Sequence, residues 1–369
     1  MRPYKVCVYG VCKNEEKFAA RCMASIKEAD LVVMGDTGST DNTIEVLKSC
    51  GAIVHSIPVK PWRFDVARNA LLNLIPEDID ICVCIDLDEV LEPGWYEALL
   101  EAWGPDTTRA RYTYIWSFNK DGSPAVQYVH ERIHARQHYH WIYPTHEVAE
   151  YIGPGEERIV YIPNLIFKHY PDPLKPRSFN LPLLQLAVSE NPTSTRNMHY
   201  LGREYYFCGE WQNCIDTLSS YLALPDANWA EERSFAMRYI GNSYMRLDKT
   251  LEAKAWLLNA IAEAPHLREA YIEMAQLGYA EQNWPLVQWM IKKALEIKER
   301  SLSHYNEAFA WNETPYDLGA LAAYYLGDFT SAYNFIQEAL RLSPEDVRLQ
   351  DNLRYIQQKL GLRGENDAY

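Results

Sequence analysis

Short apolar runs alternate with amphipathic segments over the first quarter of the chain. The apolar runs are rich in β-branched residues and cysteine, and they predict strands at residues 5–11, 31–34, 52–57 and 79–85. The segments between them carry apolar residues at helical spacing, which predicts helices at residues 15–27, 43–49 and 65–74. Because strands and helices that alternate in this way form a parallel sheet with right-handed crossovers, we expect an α/β, Rossmann-like first domain.

The pattern changes twice further along the chain. From about residue 109 to residue 166, aromatic residues in alternating segments predict antiparallel strands at 111–118, 125–133 and 139–142. From about residue 181 the periodicity becomes helical throughout. A proline-rich stretch at residues 171–176 cannot be helical and predicts the domain boundary, which gives domains at residues 1–175 and 176–369.

The helical part contains a loose repeat. Turn sequences recur between pairs of helical stretches, at Gly209-Glu210-Trp211, Gln282-Asn283-Trp284 and Gly327-Asp328-Phe329. Pro225, Pro265 and Pro344 each follow a second helix, and the unit at Leu247-Asp248-Lys249 lacks the turn glycine. This arrangement resembles tetratricopeptide repeats, and a generic helical bundle is the alternative.

Composition narrows the class of protein. The chain has 369 residues, 48% of them apolar, which is enough to bury a core in each of two domains. A net charge of −14 argues against nucleic acid as a partner, but it does not exclude a nucleotide whose diphosphate is neutralised by a metal. Residues 1–5 do not resemble a signal peptide, and no apolar run is long enough to span a membrane. The eight cysteines lack zinc-ribbon spacing, so we expect a reduced, cytoplasmic protein.

Two acidic motifs follow predicted strands. DTGSTDNT occupies residues 36–43 and CIDLDEVL occupies residues 84–91. Because ligands bind at the carboxyl ends of strands in open α/β sheets, both motifs are expected at a ligand cleft. Asp86 and Asp88, just past a strand, suit a hard divalent cation that holds a diphosphate, although a solvated acidic turn is the alternative.

In this order and behind these strands, the two motifs resemble those of inverting glycosyltransferases of family 2, which have the GT-A fold. The resemblance covers about the first 175 residues. It implies that Asp36 contacts the uracil or ribose of a nucleotide-sugar donor and that Asp88 ligates Mn²⁺ or Mg²⁺. It also implies that Asp86 reaches the ribose, or the metal through water, and that Glu89 orients a neighbouring Arg or Lys.

Further residues match the same family. The resemblance implies that Glu15, after the first strand, borders the base pocket. Arg68 would bind the donor diphosphate or contact the Asp36 region. A structural ion pair between the sheet and the helix is equally consistent with the sequence. In the segment Trp141-Ile142-Tyr143-Pro144-Thr145-His146-Glu147, Glu147 is the expected general base and His146 orients it or substitutes for it. A purely structural pairing within a turn is the alternative.

Two residues near the end of the predicted first domain complete the set. The resemblance implies that His169 is a third metal ligand and that Lys168 helps to bind the diphosphate leaving group. His130, His134, His138 and His140 are interpreted as surface or core histidines rather than a zinc site.

We therefore expect an inverting, metal-dependent hexosyltransferase that uses a UDP-sugar, such as UDP-glucose or a UDP-N-acetylhexosamine. Since helical repeats bind peptides or mediate dimers, a peptide or protein hydroxyl or thiol is the expected acceptor, and a homodimer is a further expectation. A polysaccharide or lipid-linked sugar is the alternative acceptor. A nucleotidyltransferase would carry a glycine-rich loop after the first strand, which residues 11–16 lack. A non-enzymatic scaffold is disfavoured by the intact Asp86, Asp88 and Glu147.

Overall fold

The computed structural model describes residues 4–119, 121–172, 180–301, 303 and 305–362. The chain forms two compact units, Met1–Pro192 and Thr193–Tyr369. The predicted boundary between residues 175 and 176 lies outside the described residues.

The first unit contains mainly strands. Over its described residues the strands are β1 (Val6–Cys12), β2 (Leu31–Asp36), β3 (Ile53–Ser56), β4 (Ile81–Cys84), β5 (Glu89–Leu91), β6 (Arg109–Phe118), β7 (Pro124–Ala135), β8 (Tyr139–Ile142), β9 (Val148–Tyr151) and β10 (Ile159–His169). Its helices are α1 (Glu16–Ser25), α2 (Thr43–Ser49), α3 (Phe64–Leu72), α4 (Trp95–Ala102) and α5 (Leu181–Glu190). The four predicted parallel strands and the three helices between them are confirmed, with bounds that differ by at most two residues.

Eight of these strands form one mixed sheet in the order β3-β2-β1-β4-β7-β6-β10-β5. Strands β3, β2, β1 and β4 are parallel, and β7 is antiparallel to both β4 and β6. Strand β10 pairs parallel with β6, so β10 runs in the same direction as β1. The carboxyl ends of β1, β2, β4 and β10 therefore lie at one edge of the sheet.

Alternation along the strands divides the core into two layers. In β1, Val6 and Val8 pack with helices α1 and α4 on one face. Cys7 and Tyr9 pack on the other face with α3 and the separate two-stranded sheet β8–β9. Gly10 lies so close to β4 that a Cβ atom there would clash with the carbonyl oxygen of Ile85. Glycine is therefore required at position 10, where β1 lies against the end of β4 near the carboxyl ends of the strands.

The second unit is helical. Its helices are α6 (Thr195–Phe207), α7 (Trp211–Leu222), α8 (Ala230–Arg246), α9 (Thr250–Glu263), α10 (Glu269–Ala280), α11 (Trp284–Glu296), α12 (Thr314–Tyr325), α13 (Phe329–Leu342) and α14 (Val347–Leu360). Helices α6 to α13 form four successive hairpins. Within each hairpin, a short turn joins the two helices. The hairpins confirm the predicted tetratricopeptide-like architecture, and each predicted turn sequence lies within a hairpin.

The four hairpin turns share one backbone conformation. The second residue after each first helix has a positive φ: 76° at Gly209, 58° at Asp248, 56° at Gln282 and 81° at Gly327. Two of the turns achieve this conformation without glycine, which is why the sequence repeat looks irregular although the backbone repeat is regular.

Among the described residues, none of the helices combines the length and the apolar character that crossing a membrane requires.

Candidate active site

The carboxyl edge of the sheet gathers acidic, basic and imidazole side chains. Asp36 ends β2, His169 ends β10, and Asp86 and Asp88 lie in the turn between β4 and β5. The buried Leu87 between the two aspartates points into the core, as strand alternation predicts.

Asp86 lies between two arginines. Its Oδ1 accepts a hydrogen bond from Arg68 Nη2 at 2.8 Å, and its Oδ2 accepts one from Arg132 Nη1 at 2.8 Å. Burial acts to raise the pKa of the Asp86 carboxyl, but the two guanidinium groups outweigh it and hold that pKa well below its ordinary range. Because both carboxylate oxygens are engaged, the carboxylate has a fixed orientation at the mouth of the cleft.

Arg132, on β7, is a site residue that the sequence did not predict. It also donates to Glu89 Oε1, which in turn accepts from Tyr114 Oη at 2.6 Å. The second Glu89 oxygen accepts from the Asp86 backbone N–H at 3.0 Å. Burial and the charge of Asp86 raise the pKa of Glu89, against the opposing effect of Arg132. Glu89 thus orients an arginine, the role that the family resemblance implies for it.

Arg68 connects Asp86 to the predicted base. Its Nε donates to Glu147 Oε1 at 2.5 Å, and its guanidinium lies 5.1 Å from the centre of the Trp141 ring. The Arg68 side chain is only 3% exposed, and both of its carboxylate partners are predicted site residues. His146, next to Glu147, has a positive φ of 50°. Because Glu147 and Asp86 bind the same guanidinium, Glu147 lies at the carboxyl edge beside Asp86.

Asp88 and His169 come together from positions 81 residues apart. Asp88 Oδ2 lies 3.6 Å from His169 Nε2, and Tyr170 N–H donates to the Asp88 carbonyl at 2.8 Å. The His169 ring stacks on Trp116 with ring centres 4.2 Å apart. Burial acts to lower the pKa of His169, but the Asp88 carboxylate outweighs it, so that pKa is raised.

Asp36 holds the turn that follows β2. Its carboxylate accepts from the backbone N–H groups of Gly38 at 3.0 Å and Ser39 at 3.1 Å, and Gly38 has a φ of 109°. Asp36 as a whole is 4% exposed. Glu15 lies nearby at the start of α1, where its backbone N–H donates to Thr43 Oγ1 at 2.8 Å. The turns after β1 and β2 are thus tied together beside the cleft.

Lys168 does not join this group. Successive residues of a strand point to opposite faces, so Lys168 faces away from its neighbour His169 and pairs with Glu92. The structure therefore joins the predicted residues Asp86, Arg68 and Glu147 in one network and pairs Asp88 with His169. Lys168 belongs to neither group.

His134, one of the four clustered histidines, is part of a buried hydrogen-bond chain. Its Nδ1 lies 2.7 Å from the carbonyl oxygen of Ala135, which can only accept, so Nδ1 carries the proton. Its Nε2 then accepts from Tyr9 Oη at 2.7 Å, and Tyr9 Oη accepts from Trp141 Nε1 at 2.9 Å. These hydrogen bonds require a neutral imidazole, and burial lowers the pKa of His134 to about 4.

Because His134 is buried in its neutral form, the folded protein is expected to lose stability in mild acid. The unfolded chain binds a proton near the ordinary pKa of 6.5 and the folded chain only near 4, so stability present above pH 6.5 is lost as the pH falls toward 4. The expected cost at pH 5 is about 2 kcal/mol. Melting temperatures at pH 7.5 and pH 5 should show a smaller pH dependence for His134→Gln than for the wild type. Equal pH dependence in the two proteins would contradict the assignment.

Comparison with known proteins places the first unit in a family. A family model described as glycosyl transferase family 2 matches residues 7–150. Over 93 residues the chain is 31% identical to protein RfbJ of Shigella flexneri, a match that covers 24% of this chain and 68% of that protein. The chain belongs to glycosyl transferase family 2.

A second relative is an uncharacterized glycosyltransferase of Rickettsia typhi. It is 34% identical over 88 residues, which cover 24% of this chain and 29% of that protein. The chain thus spans less than a third of the length of this relative, and the matched family 2 residues end before β10 and His169.

Solved structures similar to the chain include MamA and part of a TPR repeat-containing protein. MamA has 18% identity over 47% of this chain and 91% of its own length, with a TM-score of 0.38. The C-terminal part of a TPR repeat-containing protein from Cytophaga hutchinsonii has 14% identity over 50% of this chain and 67% of its own length, with a TM-score of 0.42.

Proposed function

We propose that this family 2 protein is an inverting, metal-dependent glycosyltransferase that moves a hexose from a UDP-sugar to an acceptor hydroxyl or thiol. The observation that carries the proposal is the pairing of Asp86 and Glu147 through Arg68, with Asp88 beside His169, at the carboxyl edge of the parallel strands, where open α/β sheets bind ligands.

The residues at this edge suit a divalent cation such as Mn²⁺ or Mg²⁺. Asp88 supplies a carboxylate oxygen and His169 an imidazole nitrogen, 3.6 Å apart. Over the described residues, no three His, Cys, Asp or Glu side chains are grouped to hold a metal. Two protein ligands leave room for phosphate oxygens and water, as is usual for cations that bind nucleotides. When bound, such a cation would neutralise charge on the departing diphosphate.

Glu147 is proposed as the general base. An inverting transfer needs a carboxylate to take the acceptor proton as the acceptor oxygen or sulfur attacks the anomeric carbon and the bond to the diphosphate breaks. The 2.5 Å contact with Arg68 fixes the direction of one Glu147 oxygen, and the Trp141 ring packs on the same guanidinium. Arg68 and Arg132 also hold Asp86, so one network positions both the base and the proposed donor site.

The acceptor is proposed to be a peptide or protein, because arrays of helical hairpins bind extended peptides. A UDP-release assay with UDP-glucose, UDP-galactose, UDP-GlcNAc and UDP-GalNAc tests the donor. We expect slow hydrolysis of one of them that requires Mn²⁺ or Mg²⁺, and UDP with Mn²⁺ should raise the melting temperature. If no UDP-sugar is hydrolysed and UDP with Mn²⁺ leaves the melting temperature unchanged, the proposed donor class is wrong.

Asp36 is expected to contribute to binding of the uridine nucleotide. Asp36→Ala should weaken UDP by roughly ten- to a hundredfold, because it removes a charged hydrogen-bond partner worth about 1.5–3 kcal/mol. Asp36→Asn is the matched variant, since its Oδ1 can still accept from the Ser39 amide and keep the turn. Calorimetric titration with UDP measures the effect. If Asp36→Ala binds UDP with normal affinity, the nucleotide pocket does not include Asp36. If Asp36→Ala is weakened but Asp36→Asn binds UDP normally, the role of Asp36 is to hold the turn after β2.

A further inference from the structure

Trp116 is a solvent-exposed tryptophan beside the proposed cation site. It lies near the carboxyl end of β6 and is 47% exposed. Tyr112 and Tyr114, which precede it on the same face of β6, are 0% and 3% exposed. The row of aromatic side chains on this face is therefore buried in the core at one end and open to solvent at the carboxyl edge of the sheet.

The Trp116 ring is held in place by His169. The two rings stack with their centres 4.2 Å apart and their planes 22° apart. His169 Nδ1 also lies 3.3 Å from the Trp116 carbonyl oxygen, so the imidazole contacts both the side chain and the backbone of Trp116. Because stacking fixes its orientation, the indole can contact a ligand with little further loss of conformational entropy.

The order of the strands separates Trp116 from the proposed uridine pocket. Asp36 ends β2, and β6 lies four strands away from β2 in the sheet. At the usual spacing of neighbouring strands, this is a separation of about 19 Å. In contrast, Asp88 lies 3.6 Å from His169, the residue on which Trp116 stacks. A donor that reaches from Asp36 to the proposed cation site would therefore bring its diphosphate, and not its base, next to Trp116.

The proposed base lies toward the other face of the sheet. Glu147 is held by Arg68 of α3, and α3 packs on the face opposite to α1 and α4. Trp116 and His169 are on the same face as Phe167, which packs with α1 and α4. An acceptor that contacts Glu147 thus approaches from the side away from Trp116. The hexose bonded to the diphosphate is then the part of the reactants nearest the indole.

We infer that Trp116 is a stacking platform for the hexose of the donor, an inference that rests on the proposed transferase function. One face of a pyranose ring carries mostly C–H groups, whose partial positive charge suits the negative face of an aromatic ring. The accessible part of the indole would pack on this face and leave the hydroxyl groups at the rim of the sugar. Trp116 would therefore contribute affinity for a UDP-hexose and none for UDP.

Paired titrations of the full chain test the inference. With Mn²⁺ present and no acceptor, calorimetry would give the Kd of UDP and of UDP-glucose, UDP-galactose, UDP-GlcNAc and UDP-GalNAc. Trp116→Ala is expected to weaken the UDP-hexose that the wild type binds best by on the order of tenfold, and to leave the Kd of UDP within about twofold of the wild type. Trp116→Phe keeps an aromatic face and should lose less. Trp289→Ala is the matched control, because it removes an indole that is 54% exposed on α11, and it should change neither Kd.

Two outcomes would overturn the platform while the proposed donor site stands. An equal loss of affinity for UDP and UDP-hexose in Trp116→Ala would show that the residue acts only by holding His169. Unchanged affinity for every UDP-hexose would show that the sugar does not contact the indole. If the wild type binds none of the five nucleotides with Mn²⁺, the proposed function itself fails and the platform fails with it.

Discussion

Glu147→Gln is expected to lower turnover on the true acceptor by roughly 10² to 10⁴ while donor and cation binding remain near normal. Glutamine keeps an oxygen that can accept from Arg68 Nε, so the network around Asp86 is preserved, but it cannot take the acceptor proton. Initial rates at saturating donor, together with calorimetric titration of UDP and Mn²⁺, separate the chemical step from binding.

The matched comparison is His146→Asn. His146 has a φ of 50°, a conformation that asparagine adopts more readily than most residues, so this variant changes the side chain with little backbone strain. It should cost less turnover than Glu147→Gln. Near-normal turnover in Glu147→Gln together with an inactive His146→Asn would reverse the two roles.

Asp88→Ala is expected to abolish the dependence of UDP binding on Mn²⁺. The substitution removes the carboxylate that faces His169 and leaves one of the two proposed protein ligands. Calorimetry with UDP in the presence and absence of Mn²⁺ measures the effect. Asp86→Ala should weaken binding less completely, because both Asp86 oxygens are already engaged by Arg68 and Arg132.

Two controls make this result interpretable. Asp106→Ala removes the same charge from an exposed loop and should leave UDP binding unchanged. Melting temperatures matter for Asp86→Ala, since it leaves two nearly buried arginines without one of their carboxylate partners. An unaltered Mn²⁺ dependence in Asp88→Ala would remove this residue from the proposed cation site.

Most of the fold was predictable because its signals are local. Strand-forming runs such as residues 79–85, and the helical spacing of residues 43–49, depend only on neighbours in sequence. The alternating aromatic segments predicted antiparallel strands, and β6 and β7 pair in this way. The parallel pairing of β6 with β10 and the insertion of β10 beside β5 were not predicted, because strand order depends on long-range packing that no local pattern records.

The same distinction holds for the candidate site. The acidic motifs were visible because each follows its own strand. Arg132 became apparent only from the sheet order, since β7 lies beside β4 with Ile133 opposite Val83. A charged residue within the strand pattern, next to Ile133, was the available signal. The position of Lys168 could have been foreseen, because adjacent residues of a strand cannot both face one cleft.

The place of β10 in the sheet has a consequence for the smallest piece of the protein that can fold. Residues 7–150 match the family, yet β10 lies between β6 and β5 and contributes the buried Leu165 and Phe167 to the core. A chain truncated at residue 150 would expose the edge of β6, leave β5 without its partner strand and lose His169. The autonomous folding unit therefore extends past the segment that matches the family, to at least residue 169. Affinity at the proposed cation site would report whether β10 has joined the sheet.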